Sequence, residues 1–256
     1  MNITVLAKYV PNPSGLPPEI GPDFLLRRAE ADGGLDPTDE PGIELAVRLA
    51  AEAGGDVRVV SVGPEQAARA LVRALAAGAH RATLVTDDSL RGADALSTAK
   101  ALAAAISREP FDLVIAGVES TDGATGTLPM TLAELLGLPS LTFARKMSVG
   151  DGRVRIERQT ESGYDVVECE LPAIVSVTAA VAVPRYPSVK DNLQARKKQL
   201  ERLSLAELGL AAADVPTMQK VATIEIAPQK QAGELVENEA EALARIVRSL
   251  RDAKVL

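Results

Sequence analysis

Residues 112 to 129 read DLVIAGVESTDGATGTLP and combine Gly117, Gly123 and Gly126 with the hydroxyls of Ser120, Thr121, Thr125 and Thr127. Backbone N–H groups that little side-chain bulk obscures, followed by a helix start at Pro129, suit a phosphate. An ordinary strand-to-helix loop uses the same residue types. Neither G-x-G-x-x-G nor G-x-x-x-x-G-K-[ST] is present, so the residues alone leave both readings open. Asp36-Pro37-Thr38-Asp39 poses a similar choice: Asp39 can cap the helix that follows, or the segment can wall the same pocket. Arg196-Lys197-Lys198 is a basic run, either a solvated face or a patch for an acidic partner.

Side chains for bond chemistry are scarce. The only histidine, His80, reads as a surface turn residue without a nucleophile or carboxylate to complete a triad. The only cysteine, Cys169, sits in an alternating strand segment and reads as core. One His and one Cys cannot make a Cys/His metal site, and one cysteine makes no internal disulfide, which fits a reducing compartment. The net charge of −7 and an aromatic content of 2% argue against nucleic-acid binding, which needs a basic face and stacking rings. These residues position a ligand rather than react with it.

The elements that must do the positioning follow from the apolar pattern. Hydrophobic residues make up 46% of 256, enough for a sizeable core of Ala, Val, Leu and Ile. Strands are expected at 3–7, 57–62, 82–85 and 112–116, with helices between them from Asp39 to Gly54, Glu65 to Ala77 and Ala93 to Ser107. A further helix includes Thr131 to Leu136. Alternating strands and helices of these lengths specify a parallel sheet with helices on both faces. Residues 11 to 35 form a long Pro- and Gly-rich excursion, with Phe24 to Leu26 folding part of it back as a hairpin. From 140 to 178 the chain reads as successive strands with turns at Asp151-Gly152 and Ser162-Gly163, so the sheet ends in antiparallel strands. PRYPSVKDN then leads into a helix carrying the basic run. The expected fold class is α/β, a doubly wound, mostly parallel sheet with added antiparallel strands. Residues 1–210 would form this domain, and 211–256 an arm and a charged helix, Glu234 to Asp252, that clasps another subunit. The N-terminal MNITVLAKYV reads as a strand rather than a signal peptide, and no apolar run reaches membrane-spanning length, so a cytoplasmic protein without direct membrane insertion is expected.

Several segments together resemble the β subunit of electron transfer flavoproteins, most nearly the actinobacterial type. They are VLAKYVPNP, LDPTDEPGIELAVRL, VVSVGPEQAARALVRALAAGAHRA, AGVESTDGATGTLPMTLAELLGLPSLTFARKMSV and LPAIVSVTAAVAVPRYPSVKDNLQARKKQLE, in the family's order from residue 1 to about 210. The resemblance implies a fold like that of the adenine-nucleotide alpha-hydrolases. It implies an electron carrier rather than an enzyme, paired with an α chain that holds most of one FAD, while the β chain buries a structural AMP. Carried over by position, the AMP contacts are Leu6, Ala7 and Lys8; Asp36, Pro37, Thr38 and Asp39; Val62 and Gly63; and the loop Gly117, Val118, Glu119, Ser120, Thr121, Asp122, Gly123, Ala124, Thr125, Gly126, Thr127 and Leu128.

Arg185, Tyr186, Pro187, Ser188 and Val189 match the family's recognition loop for partner dehydrogenases, with Val189 where many members have Leu. The implied partners are flavin dehydrogenases such as acyl-CoA dehydrogenases, with electrons passing through a quinone oxidoreductase to the respiratory chain, as in fatty acid β-oxidation. Gln159 stands where some members place a carboxylate for an inter-subunit ion pair. Bifurcating relatives bind a second FAD in place of AMP and carry Asp-Gly-Asp-Thr-Ala-Gln. Here Asp122-Gly123-Ala124-Thr125-Gly126-Thr127 favours AMP. The rival from another class is a stand-alone nucleotide-binding or nucleotide-hydrolysing α/β protein. A hydrolase would place a lysine or paired carboxylates in the loop, and residues 117 to 129 have neither.

Overall fold

The structure is a computed structural model that describes residues 1–11, 19–27, 33–225, 236 and 238–255. It divides into two units, Met1–Val221 and Ala222–Leu256. The expected start of the terminal helix at Glu234 and Leu235, and parts of the 11–35 excursion, lie outside the described residues.

In the first unit, β1 (Asn2–Leu6), β4 (Asp56–Val62), β5 (Arg81–Val85), β6 (Leu113–Gly117) and β10 (Ala173–Val177) are short and almost wholly buried. Continuous apolar runs of this kind belong in a parallel sheet covered on both faces. Helices α1 (Glu40–Ala53), α2 (Ala68–Ala76), α3 (Ala95–Ser107) and α4 (Leu128–Leu136) provide the covers. Strand side chains alternate between two cores. Ile3, Val5, Val57, Val59, Leu113 and Ile115 meet α1 and α2; Leu6, Val60, Val114 and Ala116 meet α3 and α4. The remaining elements are a small hairpin of β2 (Tyr9–Pro11) and β3 (Gly33–Leu35), then β7 (Ser140–Gly150), β8 (Arg153–Thr160), β9 (Gly163–Glu170), α5 (Val189–Ala195), β11 (Leu200–Leu203) and α6 (Glu239–Asp252). The sheet order is β11-β5-β4-β1-β6-β10-β7-β8-β9, parallel as far as β7 and antiparallel beyond it. The doubly wound parallel sheet with an antiparallel end is thus the observed fold.

Three local expectations change. β10 does not extend the antiparallel end. Its five residues are all buried, and it lies parallel between β6 and β7, where both faces are covered. The basic run is not on a helix: α5 stops at Ala195, and the chain then enters β11, which pairs with β5 at the sheet edge. His80 is at the surface as expected but does not lack a carboxylate neighbour: Asp56 Oδ1 stands 3.3 Å from its Nδ1, which also accepts from the Val57 N–H at 3.0 Å. The hairpin expected around Phe24 is present, with Ile20 bridged to Leu26. Residues beyond 210 stay with the first unit as far as Val221: Val215 is buried against α3, and Asp94 accepts from Met218 N and Gln219 N at 2.8 and 3.1 Å. In the second unit α6 exposes Leu243 and Ile246. No helix of the described residues is long and apolar enough to cross a membrane.

The basic run separates into solvated and structural parts. Arg196 and Lys197 are exposed. Lys198 Nζ instead donates to Leu75 O and Ala79 O, at 2.9 and 2.7 Å, closing the C-terminal end of α2. Burial pulls the Lys198 ammonium below the usual lysine range. Lys198→Ala is expected to cost about 1–2 kcal/mol of unfolding free energy, discounted for partial exposure. Lys197→Ala should stay within about 0.5 kcal/mol. Urea unfolding of the two variants tests this, and equal losses would contradict it.

Candidate functional site

In the sheet order, β1 lies between β4 and β6, and the chain turns to opposite sides of it. Such a switch point opens a crevice beyond the carboxyl ends of the strands. Here it is a cavity of about 720 Å³ bounded by the ends of β1, β4, β5 and β6 and the start of α4. Of the residues expected at a ligand, Leu6, Ala7, Lys8, Asp39, Val62 and Gly63 line it. So do Gly117, Val118, Glu119, Ser120, Gly123, Thr125, Gly126 and Leu128. Asp36, Pro37, Thr38, Thr121, Asp122, Ala124 and Thr127 do not reach its wall.

Several of those set back from the wall hold it in place. Asp36 is fully buried. One of its oxygens accepts from Thr38 N at 3.0 Å and Thr38 Oγ1 at 2.8 Å. The other accepts from Thr121 N at 2.8 Å and Thr121 Oγ1 at 3.2 Å. Lys8 Nζ donates to Asp122 Oδ1 at 2.6 Å and Ser120 Oγ at 2.9 Å, so the end of β1 also grips the loop after β6. Within that loop Ala124 N donates to Ser120 O at 2.9 Å. The N–H groups of Thr125 and Gly126 make no hydrogen bond within the described chain. They lie just before α4, whose first turn carries Pro129. Unpaired N–H groups at the start of a helix are the chemistry an anion needs.

Asp39 stands at the N-cap position of α1, but its side chain makes no capping bond. It accepts instead from Lys8 N at 2.7 Å, and the Gly117 N–H also points at it. A side chain at Gly117 would start 2.9 Å from Asp39 Oδ1, so that close approach requires glycine. Burial, then the neighbouring Asp36 carboxylate, push the Asp39 carboxyl up to about 8 against these N–H groups and the Lys8 charge. Around neutral pH the carboxyl is therefore mostly protonated, which lowers the negative charge beside the loop after β6.

Other lining residues were not foreseen. Thr86 and Asp87 follow β5, and the rule that ligands sit at strand ends would have found them. Leu25, Leu26 and Arg27 come from the excursion before β3, where no local pattern marks a contact with the cavity.

The loop from Arg185 to Val189 is organised separately. Arg185 makes a two-pronged ion pair with Glu44 of α1, at 2.6 and 3.0 Å. That pairing holds Glu44 below the usual carboxylate range. Ser188 and Asp191 form a reciprocal cap at the start of α5, with Ser188 Oγ 2.6 Å from Asp191 Oδ2. Between and beside these anchors Val183, Tyr186 and Val189 are 89%, 91% and 79% exposed. Three apolar side chains held outward on a fixed backbone are suited to a partner surface.

Residues 23–208 match the model of the electron transfer flavoprotein domain. The chain is similar to the electron transfer flavoprotein subunit beta of Mycobacterium tuberculosis, 39% identical over 264 aligned positions that cover 100% of this chain and 99% of that one. The protein of that name from Thermoanaerobacterium thermosaccharolyticum is 35% identical, with 100% of both chains covered. The one from Bacillus subtilis is 35% identical over 87% of this chain and 88% of its own.

The raised Asp39 value has a consequence with a definite sign. Its folded value of about 8 lies above the ordinary 3.8, so the folded chain keeps a proton that the unfolded chain releases between them. The stability contributed by Asp39 is full below the lower value and is lost as pH rises through the upper one. Wild-type unfolding free energy should carry a fall of up to about 1.4 kcal/mol per pH unit in this window. Asp39→Asn should lack that slope. It should also be less stable than wild type at about pH 5.5, because the amide NH₂ then opposes a buried N–H. Urea unfolding across this range measures both, and parallel curves would refute the assignment.

Proposed function

The chain belongs to the electron transfer flavoprotein domain family, and on that premise we propose that it is the β subunit of a two-chain electron carrier. Its α chain holds most of one FAD, and the flavin supplies the redox chemistry. The chain described here contributes binding surfaces, and no side chain of its own changes oxidation state.

The cavity at the switch point takes a structural AMP. Supporting this are the unpaired N–H groups of Thr125 and Gly126 before α4, and the fastening of that loop by Lys8 and Asp36. The phosphate belongs at Gly123 to Thr127, near the Lys8 ammonium. The adenosine belongs against the apolar ends of β1 and β4, at Leu6, Ala7, Val62 and Gly63. The Asp122-Gly123-Ala124 sequence supports AMP over a second FAD.

The fixed loop with Tyr186 and Val189 outward docks flavin dehydrogenases, acyl-CoA dehydrogenases among them. The arm and α6 bind the α chain. Electrons leave through a quinone oxidoreductase to the respiratory chain, with the protein cytoplasmic and serving fatty acid β-oxidation. The observation that carries this reading is the agreement between family membership over residues 23–208 and a nucleotide-sized cavity at the position that membership implies.

Expressed beside its α chain, the protein should purify as a yellow heterodimer with one flavin and one AMP per complex. A catalytically active monomer lacking flavin would overturn the carrier reading, and two flavins per complex would overturn AMP. Val189→Ala should lower the rate of electron transfer from an acyl-CoA dehydrogenase by about three- to thirtyfold, the size of a truncated apolar anchor, with flavin content unchanged. An unchanged rate would remove Val189 as an anchor.

A further inference from the structure

The hairpin from Glu19 to Arg27 serves none of the functions above. Ile20 bridges Leu26, Gly21 N donates to Leu25 O at 2.9 Å, and Arg27 N donates to Glu19 O at 2.9 Å, so it is a formed unit. Its second half, Leu25, Leu26 and Arg27, lines the nucleotide cavity. Across from it lies the segment between β5 and α3. Leu25 packs on Gly92, where an added Cβ would stand 3.2 Å from its side chain. Asp23 takes a 2.6 Å ion pair from Arg91.

The cations around this cavity are not equivalent. Lys8 is held by Asp122, and Arg91 by Asp23. Arg27 is half-buried, and its guanidinium makes no ion pair among the described residues. Arg27 lines the cavity, its guanidinium lying over Gly21 of the hairpin, and a guanidinium with no ion-pair partner among the described residues is available to a ligand oxygen.

We propose that this hairpin is the lid of the nucleotide cavity, latched by Asp23–Arg91, and that Arg27 is a binding residue which it delivers to the phosphate of the bound nucleotide. The proposal rests on the AMP reading of the cavity. It gives the site two cationic approaches from different parts of the chain, Lys8 at the end of β1 and Arg27 on the lid. Nucleotide release then requires the lid to lift, which breaks an exposed ion pair and uncovers Leu25. Because that pair is exposed, salt weakens it, and release quickens as ionic strength rises.

The test uses the full chain in complex with its α chain. Bound nucleotide is quantified after extraction, and release of radiolabelled AMP is followed by dilution into unlabelled AMP. Binding of AMP and of adenosine to the stripped complex is measured by calorimetry. Arg27→Gln should weaken AMP about ten- to a hundredfold, the range of a charge-assisted contact, and leave adenosine within about twofold. Arg91→Asp and Asp23→Arg should each speed release by up to about fivefold, and the pair of swaps together should restore it.

Equal loss for AMP and adenosine in Arg27→Gln would overturn the phosphate contact, because a merely structural arginine affects both. Unchanged release in the latch variants, with AMP present in the wild type, would overturn the lid while leaving the cavity reading intact. A wild-type complex holding no adenine nucleotide would overturn both.

Discussion

Three separate chain segments meet at two buried carboxylates. Asp36 fastens the loop after β6 through Thr121 and fixes its own turn through Thr38. Asp39 receives the Lys8 N–H from the end of β1 and faces the Gly117 N–H at the end of β6. Each of these bonds pairs a partly buried N–H group and is worth about 0.5–1.5 kcal/mol. Parallel strands deliver their ends to one side of a sheet but do not hold the loops that leave them. In this molecule the Asp36–Asp39 segment supplies the missing cross-connection, so the cavity has a defined wall.

The same segment sets the start of α1, and α1 carries Glu44, which holds Arg185. The loop from Arg185 to Val189 is therefore tied to the helix that begins at the cavity. The two sites have different physics. The cavity wall is built from backbone donors and buried carboxyl groups, and the 185–189 loop from exposed apolar groups on a braced backbone. Mobility would blur either one: the first because N–H groups must converge, the second because ordering a loop on contact subtracts from affinity. Glu44–Arg185 and Ser188–Asp191 reduce that second loss.

The doubly wound half was legible because each strand is a short apolar run bounded by turn residues and each helix has its own stop signal, such as Gly54 after α1. The Asp151-Gly152 turn was equally legible, and both residues have the positive φ that a two-residue hairpin needs. What could not be read depends on contacts distant in sequence. Ala173–Val177 follows two alternating strands, and its place between β6 and β7 is decided by burial on both faces. Leu200–Leu203 is too short and too charged to announce itself, and pairing with β5 makes it a strand. Asp39 has the sequence position of a helix cap, yet the proximity of β1 and β6 recruits it elsewhere. Lys198 looks like one of three equivalent charges until α2 presents its last carbonyls. The cavity residues at the ends of β1, β4 and β6 were foreseen, whereas Thr86 and Asp87 after β5 were not, and Arg27 and Leu25 come from a segment with no periodicity.

A buried carboxyl beside a second one is unfavourable unless something reduces the charge. Two solutions act together here. Asp36 has hydrogen-bond donors from Thr38 and Thr121. Asp39 has fewer, and burial pushes it toward the neutral acid. Protonation of Asp39 removes one negative charge from the pair. Lys8 lies in the same assembly, bonded to Asp122 by its side chain and to Asp39 by its backbone. A wall with two full carboxylate charges would repel a phosphate, and a wall of apolar residues would leave the loop after β6 unfastened. A neutral Asp39 beside Asp36 meets both requirements: the loop stays fastened and the wall carries less negative charge. The structural role of the segment and its reduced negative charge follow from one arrangement.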